Sequence, residues 1–376
     1  MKINQMKLDE LSSGDKIKYY TAFSYLNVNP LFKARLLEYF DFDVKRAWLC
    51  DENDLKNLAE SLQISIPRSF LSLKSKLDVE KCFNDAFLDS EIKILTIEDE
   101  KYPSLLKEIP DYPISLYYKG DLENVDFSFN LAVVGSRKAT TAAKIALNKI
   151  ITEFSGTNIT IVSGLAYGID AQAHQSAIEN NLKTVGVIGC GLDIIYPTQN
   201  KKLYEDIKNG AGVIFSEYPM GTSPLPQNFP QRNRIVTGMS KGTLVAEAQM
   251  KSGAMISANL TLDYNRELMC IPGNITNPNT EGIYHLIKQG AGIVTSASDI
   301  LNYLNWDIVT TNQNEVDYEL NETQKKVLDI ISLEAKSFDE IIGIANIEVA
   351  ELMVVLTELE IKGLVVQNNN KYYKFK

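Results

Sequence analysis

The stretch Phe229-Pro230-Gln231-Arg232-Asn233-Arg234 sets an aromatic ring beside two guanidinium groups. Guanidinium forks grip phosphate oxygens bidentately and stack on bases, and a phenyl ring offers a platform for an unpaired base. The chain holds seven arginines against 31 lysines, yet Arg137, Arg232 and Arg234 all fall in motifs that read as loops. That placement looks selective. At least one of Arg232 and Arg234 is expected to face phosphate; the alternative for each is an internal ion pair, for instance with Glu217 or Glu247.

Arg137 ends the run Leu131-Ala132-Val133-Val134-Gly135-Ser136-Arg137, in which a short apolar strand passes through Gly-Ser-Arg into a helical pattern from Lys138 to Phe154. This is the opening unit of a doubly wound α/β sheet. Loops leaving the carboxyl ends of its parallel strands form the binding crevice, and the N-terminus of the next helix favours an anion. Three further stretches follow expected strands: Ser163-Gly164-Leu165-Ala166-Tyr167-Gly168-Ile169-Asp170, Gly189-Cys190-Gly191 and Ser216-Glu217-Tyr218. All should gather on one edge. Small residues there let backbone N–H groups approach an anion, while Asp170 caps or orients the neighbouring helix.

Residues 1–90 read as short helices, at Ile17–Leu26, Leu31–Phe40 and Leu55–Leu62, in a small SAM-like domain. With 13 basic and 14 acidic residues it suits packing or protein contact better than a DNA clamp. An alternating strand pattern begins at Ile92, and a Pro-punctuated segment runs from Tyr102 to Gly120. Strands are then expected at Leu131–Val134, Ile159–Ser163, Thr184–Ile188, Val213–Ser216, Thr243–Ala246, Glu267–Ile271 and Gly292–Val294. The expected fold is a mostly parallel, Rossmann-like α/β sheet of about seven strands over residues 91–305, with right-handed crossovers. A polar linker spans 306–318. Residues 319–376 read as three helices and an Asn-turned hairpin, a winged-helix pattern. Its third helix carries Glu348, Glu351, Glu358 and Glu360 against Lys362 alone. Phosphates would repel that face, so protein contact or a structural role is expected there.

Composition narrows the chemistry. A net charge of −10 argues against a generally DNA-sticky surface, so any nucleic-acid site must be a local patch. Cys50, Cys82, Cys190 and Cys270 form no C-x-x-C pair, and with two histidines a zinc cluster is not expected; the thiols read as buried and reduced. No signal core and no apolar run long enough for a membrane helix is read in the sequence, so a cytoplasmic protein is expected. The G-x-G-x-x-G fingerprint fails at Ile194, and there is no Walker lysine loop or nucleophile elbow. No cofactor, metal or catalytic residue is assigned.

Taken together, Val133–Arg137, Ser163–Asp170 with Ala173-His174, Gly191-Leu192-Asp193 with Tyr196-Pro197, Ser216–Pro219, Phe229–Arg234 and Ser252-Gly253-Ala254 resemble the DNA-processing protein A (DprA/Smf) family over about Tyr102 to Ile300. Six ordered motifs are far more specific than one glycine loop. Two positions depart from the family pattern: Gly282-Ile283-Tyr284-His285-Leu286-Ile287 replaces the usual Gly-x-Asn-x-Leu-Ile, and Ser257 stands where Thr is common. The resemblance implies a non-enzymatic protein that binds single-stranded DNA, protects incoming DNA in natural transformation, loads the RecA recombinase on it and homodimerises through the Rossmann-like domain. It also implies that Gly135, Ser136, Arg137, Ser163, Gly164, Lys201, Phe229, Arg232, Asn233 and Arg234 line the DNA site. The rival class is a nucleotide-binding enzyme of the phosphoribohydrolase (lysine-decarboxylase-like) group. Its P-G-G-x-G-T-x-x-E motif is matched only loosely by Ser240–Glu247, which lacks the double glycine and shifts the acid.

Overall fold

The computed structural model describes residues 15–308, 320–332, 335–362, 364–368 and 371–374. The expected linker falls largely in 309–319 and the hairpin turn at 369–370, both outside the described residues. The chain divides into two compact units, Met1–Thr311 and Asn312–Lys376.

In the first unit one sheet runs through nine strands: β1 (Lys93–Thr96), β2 (Ser115–Gly120), β3 (Asn130–Val134), β4 (Thr160–Ser163), β5 (Thr184–Ile188), β6 (Gly212–Ser216), β7 (Gly242–Val245), β8 (Glu267–Cys270) and β9 (Gly292–Ile293). Their order is β1-β2-β6-β5-β4-β3-β7-β8-β9. β3 to β9 are the seven parallel strands expected, while β1 and β2 add an antiparallel edge. β2 is the strand missed in the Pro-punctuated segment.

Strand alternation divides the apolar residues of β3 and its neighbours between the two faces of the sheet. Leu131 and Val133 of β3 pack with Ile161, Leu244 and Met269 on one face; Ala132 and Val134 pack with Val162, Val187, Phe215 and Val245 on the other. Both faces are thereby covered, which is why β3 to β7 are buried along their whole length and read as mostly apolar runs whose few polar residues lie at or near the strand ends. The core on the second face also takes in Tyr20, Phe23, Trp48 and Phe70 from the N-terminal helices. Residue 90 is thus a change of element type and not a break in packing.

Chain order reverses at β3, which pairs with β4 on one side and β7 on the other. A crevice outside the carboxyl ends of these strands is the expected ligand site of such a sheet. Four helices border it: α1 (Thr141–Thr152), α2 (Ile169–Glu179), α3 (Asn228–Gly238) and α4 (Gly253–Asp263).

The second unit has its own core. Helices α5 (Glu322–Ser332), α6 (Phe338–Ala345) and α7 (Val349–Ile361) enclose Val327, Ile341, Leu352 and Leu359, and a small sheet of β10 (Lys336–Ser337), β12 (Lys371–Lys374) and β11 (Val365–Asn368) completes it. This is the expected winged helix with one short extra strand, β10.

Candidate nucleic-acid cleft

The loop from β3 to α1 forms one wall of the crevice and is clamped from both ends. Ser136 N donates to the Glu247 carbonyl at 2.7 Å, and the Ser136 carbonyl accepts from Ile169 N at the start of α2, 3.1 Å away. The Glu247 carboxylate, fully buried, accepts from Thr140 N (3.0 Å), Thr140 Oγ1 (2.8 Å) and Asn277 Nδ2 (3.3 Å). Thr140 in turn caps α1 by accepting from Ala143 N. Gly168 makes this junction possible: its φ is +76°, and a Cβ there would sit 2.1 Å from the Ser136 carbonyl oxygen. The clamp projects Arg137 into solvent, its guanidinium 5.3 Å from the centre of the Phe229 ring. Among the described residues Arg137 has no ion pair and no hydrogen bond, so its charge is uncommitted.

Phe229 itself leans on Tyr196, ring centres 5.6 Å apart. It lies on α3, and here the structure corrects the loop reading of Phe229–Arg234. Pro230 sits in the first turn, where the backbone N–H has no helical partner to lose, so it starts the helix without breaking it. Helical spacing then sorts the motif. Phe229, Arg232 and Asn233 stand at i, i+3 and i+4 and share the face toward the crevice, whereas Arg234, two positions past Arg232, points to the other side.

Arg232 is 3% exposed and donates from Nη1 to the Val187 carbonyl at 2.5 Å. It lies against Gly164, where a Cβ would come within 1.9 Å of that nitrogen. Its Nε is buried and unpartnered among the described residues. The carboxyl of Asp170 is pushed up by burial, opposed by the Arg232 charge, and accepts from Ala166 N in the β4–α2 turn; it makes no side-chain cap on α2. Arg234, also 3% exposed, forms the internal ion pair: Glu217 at 2.5 Å, with Asp111 at 3.6 Å. Burial works against its charge, but these two carboxylates hold its pKa above the ordinary value. Glu247 pairs with neither arginine.

A cavity of about 660 Å³ opens between these elements, lined by Gly135, Ser136, Arg137, Phe229, Arg232 and Asn233 among others, with Lys138 and Gln249 at its edge. Gly164 and Gly189 border a smaller recess beside Arg232 and Phe229. Three expected site residues stand apart from both. Ser163 is fully buried, and its hydroxyl donates to the Val133 carbonyl at 2.6 Å, spent on joining β4 to β3. Arg234 faces Glu217. Lys201 is exposed at the start of the helix Lys201–Asp206 and lines neither hollow. The carboxyl-edge stretch Ser216-Glu217-Tyr218 likewise turns inward, Ser216 Oγ donating to the Cys190 carbonyl. Glu247, Tyr196 and Gly168 are the positioning residues that motif reading did not place in the cleft; the signal for Gly168 was its position just before a helix.

A crevice at the switch point of a doubly wound sheet, floored by an aromatic ring and carrying uncommitted guanidinium, defines a Rossmann-like protein suited to an anion that bears flat rings. The profile of DNA recombination-mediator protein A matches residues 93–305, and that of the DprA winged helix domain matches 313–370. Protein Smf of Synechocystis is 32% identical over 95% of this chain and 98% of its own length. The DNA processing protein DprA of Streptococcus pneumoniae is 37% identical over 71% of this chain and 98% of its own. Among solved structures, the X-ray structure of the S. pneumoniae protein superposes with a TM-score of 0.65 at 35% identity, covering 76% of this chain and 97% of that one. A structure concerning the single-stranded DNA binding mode of DNA processing protein A from Helicobacter pylori gives 0.52 at 30% identity, covering 59% of this chain and 100% of that one. The chain belongs to the DNA recombination-mediator protein A (DprA/Smf) family.

Proposed function

We propose that this chain binds single-stranded DNA in the switch-point crevice without an enzymatic step, and that it protects incoming strands and loads RecA recombinase on them during natural transformation, as a homodimer through its sheet-bearing unit. The observation that carries the DNA reading is the uncommitted Arg137 guanidinium held over the Phe229 ring. A strand laid there gives a phosphate to Arg137 and stacks a base on Phe229 or its Tyr196 neighbour, contacts that read no base edge. A duplex hides its base faces and forfeits the stacking. The relatives named for DNA processing, and the one whose structure concerns single-stranded DNA, support the same reading.

The test is a titration of fluorescent oligo(dT) against a hairpin duplex of equal length over a range of salt. The single strand should bind at least tenfold more tightly, with little dependence on base sequence; equal affinity for the duplex would sink the proposal. Incubation with nucleoside monophosphates should release no free base, and release would favour the phosphoribohydrolase reading. Loading is read separately, as an earlier onset of RecA ATP hydrolysis on single strands when the protein is present.

A further inference from the structure

The winged-helix unit presents α7 where a DNA-reading domain of this shape would present its recognition helix. Its inward residues Leu352, Val355, Leu356 and Leu359 pack on Val327, Ile341 and Val365. The outward ones are not the polar set a groove requires. At 100° per residue, Val349, Met353, Thr357, Ala350 and Val354 fall in one continuous arc of about 140°. Val349, Met353 and Val354 are 54%, 59% and 57% exposed, and Ile344 at the end of α6 is 54% exposed. Thr357, the one hydroxyl in the arc, turns its donor back onto the Met353 carbonyl. The stripe therefore offers a base edge or a phosphate nothing to bind.

Its borders are acidic. Glu351 and Glu358 run along one edge, accepting from the neutral donors Thr323 Oγ1 and Gln324 Nε2 of α5, while Glu348 and Glu360 mark the two ends. An exposed apolar stripe of this kind marks a contact surface, and its charges select what can cover it. Two copies placed stripe to stripe would bring glutamates against glutamates. An anionic lipid surface meets the same repulsion.

We propose that the exposed face of α7 is a docking site for an amphipathic helix of another protein, one with apolar anchors at i, i+3, i+4 and i+7 and with Lys or Arg beside them. Helix packs on helix through Val349, Met353 and Val354, and the basic flanks of the partner answer Glu351, Glu358 and Glu360.

The test uses the full chain and two labelled 18-residue helical peptides with the same leucine register, one flanked by lysines and one by glutamates. The lysine peptide should bind and the glutamate peptide should not. The double change Met353→Ser with Val354→Ser, at exposed positions, should weaken the lysine peptide at least tenfold. The pair Glu351→Lys with Glu360→Lys should weaken it as well and create binding of the glutamate peptide. Both variants should keep oligo(dT) affinity within twofold, since none of the changed residues lines the cavity; that readout separates failure here from failure of the DNA reading. The proposal is overturned if the serine variant binds the lysine peptide as the parent does, if charge reversal leaves the peptide preference unchanged, or if the stripe instead drives self-association or vesicle binding that the serine changes abolish.

Discussion

Two arginines two positions apart have opposite fates, and a side chain's direction on α3 decides which. Arg232 turns to the crevice, while Arg234 is sealed with Glu217 and Asp111. Residue type alone left both open to phosphate; only the helical period, hidden by Pro230, separates them. Arg137→Ala should leave the fold intact, because the side chain is exposed and among the described residues makes no hydrogen bond or ion pair, yet weaken single-stranded DNA binding by about 1.5–3 kcal/mol, the scale of a charge-assisted hydrogen bond, and reduce the salt slope by roughly one phosphate contact. Unchanged affinity and slope in a natively folded variant would count Arg137 as an ordinary surface charge. Arg234→Ala should act in the opposite sense, costing about 3–5 kcal/mol of stability by stranding Glu217, as seen in a urea midpoint. His174 supplies a third test at this scale. It is fully buried, its Nδ1 2.6 Å from Thr184 Oγ1, and burial first, then the Arg232 charge, lowers its pKa to about 3. The unfolded chain protonates this histidine near pH 6.5 while the folded one does not, so stability is full above pH 6.5 and falls as pH drops from there toward 3. Between pH 7.5 and 5.5 the parent should lose about 1.4 kcal/mol more than a His174→Gln variant; parallel losses in both would reject it.

Among elements, the strands were the most legible and α3 the least. Runs such as Leu131–Val134 and Thr184–Ile188 are apolar on both faces because helices cover both sides of the sheet, so composition alone marks them. β2 was lost because prolines surround it, and α3 because proline inside a motif reads as a loop unless its first-turn exception is applied. The clamp on the β3–α1 loop was invisible for another reason: Ser136, Glu247, Ile169 and Asn277 meet only once the strand order is known. Gly168 shows how tightly that clamp is built. Gly168→Ala puts a methyl group into the Ser136 carbonyl and forces an alanine into a backbone region reserved for glycine, so the variant should lose about 1–3 kcal/mol of stability. It should also bind oligo(dT) more weakly than its unfolding explains, since the loop it displaces carries Arg137. A variant equal to the parent in urea midpoint and in affinity would mean that the β3–α1 loop is not held by the start of α2.

At the scale of the whole molecule, the cleft is a small basic spot on a chain of net charge −10. Arg137, Lys138 and Arg232 are the cations at the cavity, so binding cannot rest on a broad field of phosphate contacts. For a single strand, two or three such contacts give a slope of log K against log salt of about −1.5 to −2, shallow enough that base stacking must carry much of the affinity. The winged-helix unit pulls the other way: residues 319–376 hold seven basic and ten acidic residues, a charge of 7 − 10 = −3, and none of the cleft residues. Among the described residues its core is made of its own side chains, and the three apolar clusters of the first unit are likewise made of that unit's own. A chain ended at residue 318 should therefore fold, carry a net charge of −7, and bind oligo(dT) as the full chain does near physiological salt, with a slight gain at low salt where the lost acidic residues no longer repel the strand. Anisotropy titrations of the two chains at several salt concentrations decide it: a tenfold loss on truncation would mean that the winged helix supplies DNA contacts of its own, against the acidic borders and apolar face of α7.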